Sequence, residues 1–134
     1  MGAWGAGIFE NDGASDFVWE VDAAPAIPTL MKPIDAVIAV VKSGDYLEMG
    51  LCEEANAAAE MLAALHSGDR TALSESALEI IPKIKGKPSQ SEIDRARAVV
   101  ERIAKDSEMA EAFTDSDVAD TWLAVMQGLR ARLG

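Results

Sequence analysis

The chain has 134 residues, 49% of them hydrophobic and 26% charged, with a net charge of −11. That length fits one domain, residues 1–134, which buries about two-thirds of its unfolded surface and needs neither disulfide nor metal to fold. The composition is that of a soluble globule: no apolar run approaches the ~20 residues of a membrane span, and the acidity opposes nucleic acid and anionic membrane alike.

The charge is unevenly spread. Residues 1–60 carry 11 acids and 2 bases, whereas residues 61–134 carry 12 acids and 10 bases. An acidic amino-terminal half of this kind attracts a basic protein partner, although the need for solubility alone also accounts for it. Cys52 is the single cysteine, so no internal disulfide forms. No basic stretch followed by an apolar core marks a signal peptide, and Ala6 stands where a myristoylation pattern wants Ser or Thr. The expected location is the cytoplasm.

Taken in chain order, residues 1–10 read as an ordered loop or a short extended segment. Gly2, Gly5 and Gly7 disfavour a regular helix there, while Trp4, Ile8 and Phe9 give the segment something to bury. A first helix is expected from Asp12 to Asp22, capped by Asn11 or Asp12, with Phe17, Val18 and Val21 inward and Asp16 and Glu20 outward. Pro25 and Pro28 then interrupt the chain. A second helix near 30–42 carries Leu30, Ile34, Val37 and Val41 on one stripe, with Pro33 tolerated only in its first turn or at a kink.

The third helix, about 49–66, lines one face with Leu51, Ala55, Ala58, Leu62 and Leu65. Its alanines favour helix and let a neighbour come close, which makes it the expected central helix, ended at Gly68. A shorter helix at about 72–82 is closed by Pro82, Gly86 and Pro88. The fifth, about 90–105, opens with Ser89 and Glu92 at capping-box spacing. A helical turn near 107–113 leads to the last helix. There Thr114 and Asp117 fit a second box, and Val118, Trp122, Val125, Leu129 and Leu133 form the stripe. No segment shows strand alternation between hairpin turns, so the expected architecture is an all-α bundle of about six helices with the Gly/Trp-rich segment packed on it.

The opening MGAWGAGIFENDGASDFVWE resembles that of a bacterial family catalogued as domain of unknown function 4259, whose pattern is W-G-x-G-x-F-[ED]-N-D followed by an acid and aromatics in a helix. GDYLE with its alanine-rich helix, KDSEMAEAF and TWLAVMQGLRARL are similar to the family too, so the likeness covers essentially the whole chain. Gly13 and Ala14 depart from it, standing where members often carry further acids or bulkier residues. The resemblance supports the fold and brings no established activity, substrate or cofactor.

Several constellations have a functional and a structural reading. Trp4, Ile8 and Phe9 form either a ligand platform or a cap folded over the bundle, and burying two aromatics is worth several kcal/mol at ~25 cal/mol per Å². Gly2, Gly5 and Gly7 spell neither a dinucleotide fingerprint nor a P-loop, and no lysine follows for phosphate. Asn11, Asp12 and Asp16 suit a hard cation or, more simply, a helix cap and a wet face. Together with Trp4, Phe9, Tyr46 and Glu48 they are the candidate binding residues.

Glu53, Glu54 and Glu60 approach the E-E-x-x-E arrangement of helical pyrophosphohydrolases, but Ala57 leaves the third position empty. Glu53 and Glu60, seven apart, share a face as any two surface glutamates can. His66 is the lone histidine, which excludes a histidine-based zinc site, and it suits a helix C-terminus. Glu53 beside Cys52 opposes a thiolate, there is no G-x-S-x-G elbow, and Lys83, Lys85 and Lys87 read as a solvated loop.

No cofactor is implied. The leading expectation is a non-enzymatic acidic helical module that binds a basic protein, in one version an inhibitor or immunity protein facing a nuclease. A carboxylate-metal hydrolase of phosphate or nucleotide substrates, using Asp12, Asp16, Glu53 and Glu60, is the enzymatic alternative. A homo-oligomer pairing two bundles is the third.

Overall fold

The computed structural model describes residues 5–134, and every regular element among them is helical. Seven α-helices follow in chain order: α1 Asp12–Ala23, α2 Ile27–Ser43, α3 Met49–Ser67, α4 Glu75–Ile80, α5 Gln90–Lys105, α6 Glu108–Thr114 and α7 Ala119–Arg132. A 3-10 turn, Ile81–Lys83, extends α4. Trp4 and Gly2 lie outside the described residues.

α3 is the axis of the bundle and packs against α1, α2, α5, α6 and α7. The sequence stripe puts one face inward, yet from Cys52 to Ala64 only Glu54 keeps appreciable exposure. Alanine is the reason. Ala55, Ala57, Ala58, Ala59, Ala63 and Ala64 have no bulk to hold neighbours off, so helices close in from every side. Glu53 and Glu60 are accordingly not surface residues: they are 5% and 0% exposed.

Local signals account for most helix ends. Asn11 has extended backbone, and its Oδ1 accepts from the Ala14 amide at 2.7 Å. Gly44 and Gly68 close α2 and α3 with φ of 73° and 83°, the left-handed region where a side chain is strained. The capping box forms as expected, with the Glu92 amide donating to Ser89 Oγ at 3.1 Å and the Ser89 amide to Glu92 Oε1 at 2.8 Å.

Three ends differ from expectation. α2 begins at Ile27, because Pro28 falls in the first turn, where a missing N–H leaves no bond unmade; Pro33 lies buried inside the helix. α4 is shorter than 72–82: Ser74 caps it at Ala77, and the chain then tightens into the 3-10 turn around Pro82.

At the last helix the Thr114–Asp117 box is not made. Thr114 belongs to α6 and donates its hydroxyl to the Ala110 carbonyl, while Ser107 caps that helix. α7 therefore starts later, at Ala119. Val118 is left 40% exposed, and the buried face becomes Trp122, Met126 and Leu129, with Leu133 just beyond. Trp122 stacks on Phe113 with ring centroids 5.4 Å apart.

Just before α1, residues 7–10 turn back on themselves. The Glu10 amide donates to the Gly7 carbonyl at 3.1 Å, and the Gly7 amide to Glu10 Oε1 at 2.9 Å. This puts Ile8 into the core and leaves Phe9 half-buried against it.

Candidate functional site

α1 lies against α3 through Ala14, Phe17, Val18 and Val21. Its opposite arc carries Asp12, Asp16, Trp19 and Glu20, all exposed. Trp19 is 75% exposed, more than any other large hydrophobic residue described. Asp12, Asp16 and Glu20 recur every fourth residue and so form one stripe.

α3 adds Glu53 and Glu54 beside this stripe. Burial raises the Glu54 carboxyl above its ordinary range, and Glu20 and Asp16 raise it further. Burial likewise raises Glu53; the Gly13 amide pulls the other way, and Asp12 and Glu54 add repulsion. The ion pairs among the described residues join Lys83–Asp22, Arg95–Asp35, Arg97–Asp94, Arg102–Asp106, Arg130–Glu101 and Arg132–Glu60. None involves Asp12, Asp16, Glu20, Glu53 or Glu54. The negative charge of this face is therefore not neutralised by any cation among the described residues.

The raised Glu53 carboxyl makes stability depend on pH. Its proton is held more tightly in the folded chain than in the unfolded one, so ionising it costs stability. The cost is absent below the ordinary value of 4.5 and grows as pH rises through the window above it, with Glu54 acting in the same direction. Glu53→Gln is expected to raise the melting temperature at neutral pH and to flatten its decline as pH rises above about 4.5. Thermal melts of both proteins across that range check this; parallel profiles would show that Glu53 ionises at no cost.

Along the other edge of α1, Ser15, Val18, Trp19 and Asp22 face Ser76, Glu79 and Ile80 of α4 across a cleft of about 350 Å³. Phe9 also lines it. Lys83 reaches over from the 3-10 turn, its Nζ donating to Asp22 Oδ1 at 3.2 Å. Trp19 thus stands between an acidic stripe on one side and a cleft on the other.

The sequence candidates are only partly brought together. Phe9 lines the cleft, and Asp12 and Asp16 lie on the exposed arc. Asn11 is 5% exposed and used at both ends, its Nδ2 donating to the Ile8 carbonyl at 3.2 Å while its Oδ1 caps α1. Tyr46 faces α6, its hydroxyl donating to the Glu111 carboxylate at 3.1 Å, and Glu48 is exposed just before α3. Neither lines the cleft. Trp4 is outside the described residues. Trp19, Asp22 and Glu79 escape the sequence reading, since the edge at which a helix leaves its partner is set by neighbours distant in sequence.

The metal set does not assemble. Among the described residues, no group of three or more Asp, Glu, His or Cys side chains is placed to hold an ion. Both Glu60 oxygens are engaged by Arg132, at 2.8 and 2.6 Å. The Cys52 thiol is buried, which pushes its pKa up to about 11 and keeps it protonated at neutral pH. Asn56 is 2% exposed, and among the described residues its Nδ2 donates only to the sulfurs of Met109 and Met126. Its Oδ1 has no partner among the described residues and lies beside a cavity of about 10 Å³.

The described residues define an all-helical protein built around one buried axis, and no helix among them is long and apolar enough to cross a membrane. The chain belongs to the family described as Domain of unknown function (DUF4259), which matches residues 2–125. No curated protein and no solved structure matches it.

Proposed function

We infer that this protein is a non-enzymatic interaction module that docks a basic protein partner on the exposed arc of α1. The observation that carries this reading is the acidic stripe Asp12, Asp16 and Glu20, backed by Glu54, beside a tryptophan that is 75% exposed. Charges of one sign steer a partner of the other, and an aromatic side chain set among them supplies the apolar contact area on which tight interfaces depend. The raised Glu54 carboxyl supports it as well. Burial is the main cause, and the further repulsion from Glu20 and Asp16 is relieved when a cation arrives. An inhibitor or immunity protein that covers a nuclease's phosphate-binding groove is one form such a module takes, and a cytoplasmic location accords with it.

Affinity capture from a homologous extract tests the reading, with wild type compared against Asp12→Asn/Asp16→Asn/Glu20→Gln/Glu54→Gln and against Trp19→Ala. The expected result is one basic protein held stoichiometrically by wild type and lost by both variants. Its capture should fall by about an order of magnitude between ~50 and ~300 mM salt. A partner retained equally by all three proteins, or a capture indifferent to salt, would sink the reading.

A further inference from the structure

We propose that the cleft between α1 and α4 seats an arginine side chain of the partner, with its guanidinium on Trp19 and hydrogen-bonded to Asp22 and Glu79. This rests on the docking role just assigned to α1 and names the residue that the partner inserts there. The cleft has the three parts such a side chain needs. Phe9, Val18 and Ile80 give an apolar wall for the aliphatic stem. Trp19 gives an aromatic surface on which a planar cation stacks. Asp22 and Glu79 give carboxylates, with Asp16 and Glu20 on the adjoining arc of the same helix keeping the local field negative.

Among the described lining residues an anionic ligand meets those carboxylates with one cation to set against them, and that cation is engaged: Lys83 holds Asp22. A wholly apolar ligand meets two acids and the hydroxyls of Ser15 and Ser76. The Lys83 contact shows that Asp22 accepts a cation in this position. Both side chains are about half exposed, at 57% and 46%, so the pair is a weak surface contact that an incoming group can displace. Arginine displaces it better than lysine does. A guanidinium presents two parallel N–H donors to a carboxylate and stacks flat, whereas an ammonium is a hydrated point charge.

The test uses the intact protein and a short, unstructured peptide, Gly-Arg-Gly-Arg-Gly, capped at both ends. Its comparators carry citrulline or lysine in place of arginine, and free arginine amide is a further arm. Indole N–H resonances and backbone amides are followed during titration at low salt. The arginine peptide is expected to move the Trp19 indole and the amides of Val18, Asp22 and Glu79, and to bind about tenfold more tightly than the citrulline peptide. Trp19→Ala and Asp22→Asn each weaken it about fivefold or more, Trp19→Phe restores part of the loss, and Lys83→Met tightens it severalfold by freeing Asp22.

Shifts confined to Asp12, Asp16 and Glu20, or equal affinity for arginine and citrulline, would overturn the arginine seat. If the captured partner then still depends on the acidic stripe, the docking face survives without it. Tighter binding of free arginine amide than of the peptide would likewise overturn a protein side chain as occupant, in favour of a small cationic metabolite.

Discussion

Arg132→Ala is expected to destabilise the protein by about 3–5 kcal/mol, the usual consequence of stripping one partner from a buried ion pair. Its guanidinium donates from Nε and Nη2 to the two oxygens of Glu60, at 2.8 and 2.6 Å. The Glu60 side chain is 1% exposed and that of Arg132 is 21%. Without the arginine, the carboxylate on the central helix has no cation among the described residues and almost no access to water. The bond to Glu60 is also the largest influence raising the guanidinium's own pKa, so Arg132 stays charged throughout the accessible range.

Because the pair joins α3 to the last turn of α7, its loss should loosen α7 before the rest. Denaturant unfolding, followed by fluorescence in a Trp4→Phe/Trp19→Phe background so that Trp122 alone reports, measures the effect. Glu60→Met/Arg132→Met, which removes both charges and keeps comparable volume, should recover most of the stability. A loss below about 1 kcal/mol in the single variant would show that Glu60 finds water or another donor once the arginine is gone.

Gly13→Ala is expected to destabilise by about 1–2 kcal/mol, against the usual direction for such a change inside a helix. Alanine ordinarily gains up to ~1 kcal/mol over glycine in a helix. Here a Cβ at position 13 would stand 2.7 Å from the Glu53 Cβ and 2.5 Å from its Oε1. The carboxylate can swing away, but the Glu53 Cβ is fixed by the backbone of α3. α1 must therefore lift, and overpacking of this kind costs about 1–3 kcal/mol, which outweighs the propensity gain.

A double-mutant cycle with Glu53→Gly isolates the steric part, and the two changes together should be less harmful than their sum. Lifting α1 also displaces Asp12 and Asp16, so the variant should bind the partner more weakly. A more stable Gly13→Ala protein would mean that α1 has room to slide. The absence of a side chain at this position is thus tied in this chain to how deeply Glu53 is set.

How much of this was legible in advance depended on the range over which each feature is determined. The ends of α1, α3 and α5 could be read because their causes lie within a few residues: Asn11 and Ala14, Gly68, Ser89 and Glu92. The Thr114–Asp117 box had the same local form and failed, since Thr114 was already taken into α6 and Ser107 supplied the cap. A local signal is sufficient only when no neighbouring helix claims the same residues. The candidate face was half legible. Asp12, Asp16 and Glu20 declare themselves by spacing, but Trp19 sits in a run of apolar residues, Phe17, Val18, Trp19 and Val21, of which it alone is exposed.

The amino-acid order by itself settled that the chain is helical, where most helices begin and end, and that negative charge gathers in the first half. These follow from hydrophobic period, capping chemistry and counting, all of which act along the chain. Only the tertiary structure decided that Glu60 meets Arg132 from 72 positions away, that Glu53 is buried against Gly13, and that α4 leaves a cleft beside Trp19. Those outcomes depend on how closely alanine-faced helices approach one another, and burial of a side chain belongs to the pair of surfaces that meet rather than to either segment alone.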